Sequence, residues 1–252
     1  MKNPARHIPN ILTSISLTFG FYAAILGISG NYFGAMCAIL MAAVFDFSDG
    51  FAARLLKAYS DVGKELDSLA DMVSFGVAPG MMLFSFLDKI LHSLSWNDSV
   101  ACKCLLLSAF VIPVFSAIRL AKFNTDDRQK TSFIGFPVPA HAILWSSLIA
   151  VLASDIHASY CLLPQLSESL VSIKPEILLF VLSIAALATS YLLISQIPMF
   201  SLKTTSFSWK ANKLIYILLA STLIFILLFG ILGITLAILL YILFSILSLC
   251  SP

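Results

Sequence analysis

Eight apolar runs divide this chain, each close to the ~20 residues that cross a bilayer as a helix rising ~1.5 Å per residue. They lie at about 11–29, 31–53, 66–87, 101–121, 136–154, 176–197, 212–229 and 231–248. Such runs confine the fold class to an all-α membrane protein, a polytopic helical bundle with about eight transmembrane helices. Gly30 and Asn31 mark a hairpin between the first two, and Gly230 marks a similar break near the end. Lys57 to Asp61 is a short link, which makes the second and third helices antiparallel neighbours. Pro175 suits the start of the sixth helix and Pro198 its end. Longer polar connections are expected at 88–100, 122–134, 155–175 and 198–210. No charge-rich tail or low-complexity linker divides the chain, so residues 1–252 read as a single integral membrane domain. The first apolar run is longer than a signal peptide core and has no clear small-residue cleavage site, so a retained helix is expected.

The basic residues orient this map. Lys2, Arg6, Arg54, Lys57, Lys64, Arg119, Lys122, Arg128, Lys130, Lys203, Lys210 and Lys213 fall on one side, and only Lys89, Lys103 and Lys174 on the other. By the positive-inside rule the richer side is cytoplasmic, and an even helix count puts both termini there. The expected location is the cytoplasmic (inner) membrane. A net charge of +2 argues against nucleic acid as a partner. The cysteines Cys37, Cys102, Cys104, Cys161 and Cys250 form no CxxC pair or zinc-type series and read as small apolar fillers.

Against a background that is 60% hydrophobic and 11% charged, four carboxylates within one short stretch demand an explanation. They lie in Asp46-x2-Asp49-Gly50-x2-Ala53-Arg54 and in Gly63-x3-Asp67-x3-Asp71. Carboxylates in such a setting need metal ions, cationic substrates or trapped protons. From Asp46, residues 49, 50 and 53 fall at i+3, i+4 and i+7, while Gly63, Asp67 and Asp71 descend one helical face by i+4 steps. Two facing helices would thus oppose Asp46 and Asp49 to Asp67 and Asp71. That is a cage for hard divalent cations, which prefer oxygen ligands, and two metals there would suit a phosphoryl reaction. The topology puts this cage toward the cytoplasmic end of its helices, where water access lowers the cost of the charge.

The pattern D-x2-D-G-x2-A-R-x8-G-x3-D-x3-D over Asp46–Asp71 matches, residue for residue, the signature of the CDP-alcohol phosphatidyltransferases. The flanking Phe45-Asp46-Phe47-Ser48-Asp49-Gly50 and Glu65-Leu66-Asp67-Ser68-Leu69-Ala70-Asp71-Met72-Val73-Ser74-Phe75-Gly76-Val77-Ala78-Pro79 resemble the membrane-embedded phosphatidylserine synthase branch of that family. Further similarity lies in Ile8-Pro9-Asn10, Arg119-Leu120-Ala121-Lys122-Phe123-Asn124, Phe136-Pro137-Val138-Pro139-Ala140 and Ile197-Pro198-Met199-Phe200-Ser201-Leu202-Lys203. The glycerophosphate-using branch usually has proline and lysine where this chain has Ser68 and Met72. The resemblance covers roughly residues 8–203. It implies a six-helix catalytic core there, two accessory transmembrane helices at 211–250 without a chemical signature, and a homodimer.

The resemblance implies transfer of the phosphatidyl group of CDP-diacylglycerol to the hydroxyl of L-serine, giving phosphatidylserine and CMP. The diacylglycerol chains would stay among membrane lipids, so the site needs a lateral opening. Two alternatives stay open: glycerol 3-phosphate or inositol as acceptor, and a noncatalytic lipid-binding or transport protein. Asp46, Asp49 and Asp67 are implied as ligands of Mg2+ or Mn2+ in a two-metal site. Asp71 is implied as a further ligand and as the general base, the second role being the essential one. Asp46, Asp49, Gly50, Ala53, Arg54, Gly63 and Asp67 are implied to hold the CDP and its phosphates, the glycines by allowing close approach and Arg54 by bidentate hydrogen bonding. Arg119 and Lys122 are candidates for the acceptor carboxylate or a lipid phosphate. Lys64, Lys57 and Asn10 are weaker ones. Glu65 points away from the aspartate face, and His141 reads as a helix-start or core residue.

Overall fold

A computed structural model describes residues 7–94, 100–125, 135–153, 162–163, 165–197, 199 and 209–249. The described residues are helical and contain no strand. In chain order the helices are α1 (Ile8–Ile28), α2 (Tyr32–Leu55), α3 (Asp61–Asp71), α4 (Ala78–Ser93), α5 (Val100–Leu106) and α6 (Ser108–Thr125). They continue with α7 (Val138–Ala153), α8 (Gln165–Val171), α9 (Pro175–Ile194), α10 (Trp209–Phe229) and α11 (Ile231–Leu249). A π-helical segment, Met72–Val77, joins α3 to α4 without a break. Lys2, Arg6, Arg128, Lys130, Lys203 and Pro198, which the sequence reading used for topology, lie outside the described residues.

The turns form where the sequence places them. Gly30 has φ 81°, and Asn31 caps α2 by accepting from the Gly34 backbone N–H at 3.0 Å. Lys57 takes a left-handed φ of 49°, and Ser60 then caps α3 by accepting from Gly63 N–H at 3.0 Å. α1 therefore lies against α2, and the return through α3, the π segment and α4 packs on α1. α7 stands behind α2 and α4, α6 pairs with α9, and α11 covers α7. Trp145, Phe75, Phe136, Ile39, Met82 and Leu83 fill the shared interior. Large apolar side chains such as Phe21, Phe47, Phe180, Ile184 and Leu227 face outward. An apolar exterior of this kind suits lipid rather than water.

Five helical stretches are long and apolar enough to cross a membrane: Ile8–Ile28, Tyr32–Leu55, Asp61–Ser93, Lys103–Thr125 and Pro175–Ile194. Three further apolar helices are shorter over the described residues. They are Val138–Ala153, Ile215–Phe229 and Ile231–Leu247. α7 begins only at Val138, beside Pro137 and Pro139, and the non-helical backbone of Asn212 detaches the first turn of α10 from its apolar part. The third span is instead longer than the expected 66–87, running 33 residues from Asp61 to Ser93. Ser60 capping extends one end. At the other, α4 runs on to Ser93, with the exposed Asp88 and His92 3.7 Å apart across one turn.

α1 approaches the π segment so closely that Gly20 tolerates no side chain. A Cβ there would overlap the Ser74 side chain and come within 2.5 Å of its Cα. Ser74 Oγ also donates to the Ser16 carbonyl at 3.2 Å, which fixes this contact. Because backbone cannot rotate away, Gly20→Ala must part α1 from the segment that follows Asp71. We expect a loss of about 1–3 kcal/mol, read as a lower unfolding midpoint of the detergent-solubilised protein.

Candidate active site

Four elements meet at one end of the bundle: the start of α1, the end of α2, the start of α3 and the end of α6. Lys64 Nζ donates to the Asn124 carbonyl at 3.4 Å, and Asn124 Nδ2 donates to Ser68 Oγ at 2.8 Å, tying α3 to α6. A cavity of about 220 Å³ opens there. Its lining includes Asn10, Asp49, Gly50, Ala53, Arg54, Gly63, Lys64 and Asp67, the residues singled out from sequence for nucleotide and phosphate.

The helical register brings the carboxylates together. One oxygen from each of Asp46, Asp49 and Asp67 lies within 4.8 Å of the other two. Asp71 falls outside that trio, one turn deeper along α3 than Asp67. It lies within hydrogen-bonding range of Asp46, while its Oδ1 is buried with no hydrogen-bond partner among the described residues. Among those residues, no Lys or Arg nitrogen comes within 4.0 Å of any of the four to form an ion pair. An all-oxygen donor set left without such counter-charges fits a hard divalent cation, and an orphaned buried carboxylate oxygen beside it fits further ligation or proton acceptance.

The two glycines of the motif differ. A Cβ on Gly50 would meet only Arg54 Nη1, at 3.6 Å, so the protein itself does not require glycine; the space belongs to the cavity. A Cβ on Gly63 would come within 2.9 Å of both Asn10 Oδ1 and Ser60 Oγ. There the glycine lets α3 seat against α1 and its own cap. Asn10, uncertain from sequence, is thereby fixed on the cavity wall.

Arg119 and Lys122 separate. Arg119 is 7% exposed, with its guanidinium carbon 4.8 Å from the Phe123 ring centre and in electrostatic range of Asp71. Lys122, one turn nearer the end of α6, is exposed. Lys57 and Glu65 are exposed as well, and Glu65 lines no part of the cavity. His141 is fully buried, bonded to Thr189 Oγ1 at 3.1 Å and contacted by Trp145 Nε1 at 3.1 Å, which makes it part of the α7–α9 core.

Sequence reasoning passed over Thr13, whose hydroxyl hydrogen-bonds both Asp49 Oδ2 and the Pro9 carbonyl. It stands three residues after Asn10, so the helical spacing of α1 would have found it. Tyr59 and Ser60 on the cavity rim carried no such periodic signal, since they sit in a turn.

Comparison with known proteins agrees with this arrangement. The family model described as CDP-alcohol phosphatidyltransferase matches residues 6–192. A protein of Bacillus subtilis named CDP-diacylglycerol–serine O-phosphatidyltransferase is 36% identical over 133 residues, 53% of this chain and 70% of the relative. Proteins of the same name from Helicobacter pylori and Methanocaldococcus jannaschii are 35% and 34% identical over 144 and 137 residues. Those matches cover 56% and 54% of this chain and only 56% and 57% of the relatives, little more than half their length.

Proposed function

This chain belongs to the CDP-alcohol phosphatidyltransferase family, and we propose that it transfers the phosphatidyl group of CDP-diacylglycerol to L-serine, releasing CMP. The observation that carries the reading is the convergence of Asp46, Asp49 and Asp67 beside a buried, unpartnered Asp71 oxygen. Serine as acceptor is supported by the names of the relatives and by Ser68 and Met72 standing where the glycerophosphate branch has proline and lysine.

Asp46, Asp49 and Asp67 would hold Mg2+ or Mn2+, with Asp71 available to a second ion. Metal bound there supplies charge neutralisation of the pyrophosphate and of the departing CMP. Gly50 leaves room for the nucleotide, Ala53 keeps the wall low, and Arg54 and Lys64 at the cavity rim receive phosphate oxygens. Thr13 holds Asp49 in one rotamer by donating to it. Arg119 receives the serine carboxylate, since its planar fork suits that group and the aspartates repel it. Asp71 takes the proton of the serine hydroxyl as the oxygen attacks the phosphorus that bears diacylglycerol. The bond from that phosphorus to the CMP oxygen breaks, and CMP leaves with the electron pair.

The long α3–α4 helix supports the depth of the site. Its 33 residues span ~50 Å, against a hydrocarbon core of ~30 Å. The excess lies most cheaply at the polar α3 end, which brings Asp67 and Asp71 to headgroup level, where CMP and serine arrive from water and the acyl chains stay in lipid. The clustering of Arg54, Lys57, Lys64 and Lys122 on this end supports a cytoplasmic site. Our reading has a six-helix core over 8–203, accessory helices at 211–250, eight membrane crossings with the shorter helices included, both termini cytoplasmic, and a homodimer.

Purified protein in defined lipid, given serine, glycerol 3-phosphate or inositol separately with Mg2+ or Mn2+, tests the reading. We expect phosphatidylserine and CMP with serine alone, identified by mass spectrometry. Exclusive phosphatidylinositol or phosphatidylglycerophosphate would overturn the acceptor. Donor binding without CMP release under any condition would favour a lipid-binding or transport protein.

A further inference from the structure

The unbroken helix from Asp61 to Ser93 is attached to α6 at two levels, and Asp71 lies between them. The outer attachment is a hydrogen-bonded latch. Asn124 Nδ2 donates to Ser68 Oγ at 2.8 Å, and Ser68 Oγ donates its own proton to the Lys64 carbonyl one turn back, at 3.2 Å. With that proton engaged, Ser68 has only lone pairs to offer, so position 124 needs a side chain that donates. Lys64 Nζ closes the ring by reaching the Asn124 carbonyl at 3.4 Å. The inner attachment is close packing. A Cβ on Gly76 would stand 3.1 Å from Ser116 Cβ, and one on Gly80 would stand 2.9 Å from Pro113 Cδ.

The two attachments define an antiparallel register. From Ser68 to Gly76 the first helix advances eight residues, and from Asn124 to Ser116 α6 retreats by the same number. Arg119 therefore stands level with Val73, about half a turn (~3 Å of rise) beyond Asp71. Ser116 and Arg119 share a face of α6 at i,i+3, and Ser116 is the residue that meets the segment following Asp71. Asp71 Oδ1, Ser116 Oγ and Arg119 Nε are all buried within this interval, without hydrogen-bond partners among the described residues. Buried polar atoms are nearly always partnered, so three orphans between the same two attachments suit a small polar acceptor.

We propose that the Asn124–Ser68 bond is a positioning latch for the acceptor: it holds α6 in the register that sets Arg119 level with Asp71, so that the acceptor's carboxylate and attacking hydroxyl are gripped from two helices at once. The inference rests on the reading of Arg119 as the carboxylate site and Asp71 as the base. It gives Ser68, between two aspartates of the motif, a part that requires no contact with substrate.

In the full-length protein, Ser68→Ala and Asn124→Leu each remove the bond, and Ser68→Thr keeps the hydroxyl. We expect kcat/KM for serine to fall roughly fivefold in either of the first two, the scale of one lost hydrogen bond. The double variant should fall no further, and Ser68→Thr should recover. The CDP-diacylglycerol KM and the half-saturating metal concentration should hold, because the residues assigned to donor and metal lie on α1, α2 and α3 or the turn between them. Unchanged serine kinetics in the single variants overturn the proposal, as do defects that multiply in the double variant. A lowered unfolding midpoint with every parameter impaired, the metal requirement included, also overturns it, since that is general loosening of the bundle. Arg119→Ala, measured alongside, separates the two claims. If it raises the donor KM in place of the serine KM, the acceptor reading of Arg119 falls. Latch variants that shift that same donor KM then still support the register role, and latch variants that shift neither KM overturn it.

Discussion

Asp71→Asn should lower phosphatidyl transfer by roughly 10²–10⁴-fold, the range over which a positioned general base acts, while CDP-diacylglycerol binding is largely kept. Asparagine preserves the size of the side chain and its hydrogen bonding toward Asp46, so the surrounding packing has no cause to change. It cannot accept the proton of the serine hydroxyl. The Asp71 oxygen that lacks a partner among the described residues is the feature on which this rests. CMP release under single-turnover conditions, set beside direct donor binding, measures the effect. Undiminished turnover would remove the base assignment. A metal titration divides the two roles given to Asp71: a pure base leaves the half-saturating concentration unchanged, and a ligand raises it.

The second large effect belongs to the trio. Asp67→Asn or Asp46→Asn takes one carboxylate from a set whose oxygens lie within 4.8 Å of one another. The two remaining carboxylates offer a weaker and less complete oxygen shell. We expect the Mg2+ or Mn2+ requirement to rise at least roughly 100-fold, the upper end of what altering even supporting residues around a metal costs. Chelation of the parent protein should abolish turnover, and added divalent cation should restore it. Strong activity in metal-free protein would reject the mechanism. These variants differ from Asp71→Asn in that excess metal should partly rescue them.

The aspartate register was legible because a helix converts spacing into direction without reference to the rest of the fold. The hairpin at Gly30–Asn31 and the cap at Ser60 rest on equally local chemistry. Apolarity marks the third span only over 66–87; the helix before it follows from the Gly63–Asp67–Asp71 register and the Ser60 cap, while its continuation through 88–93 carries no apolar signal. Arg119 and Lys122 looked like a pair in sequence. They part because Arg119 lies on the packed face of α6 and Lys122 on its exposed edge, a distinction that only the neighbouring helices define. Gly50 and Gly63 look equivalent in the motif, and their distinction needed the positions of Asn10 and Ser60.

The helix from Asp61 to Ser93 contains no loop. A helix longer than the hydrocarbon core is accommodated by tilting, kinking or local thickening of the bilayer, and here any tilt of the rod moves Asp67 and Asp71 on its headgroup end. Asp46 and Asp49 ride on a different rod, α2. Membrane thickness therefore bears on the alignment of the two halves of one carboxylate cluster, and the lipid surroundings become a mechanical input to the chemistry that builds lipid.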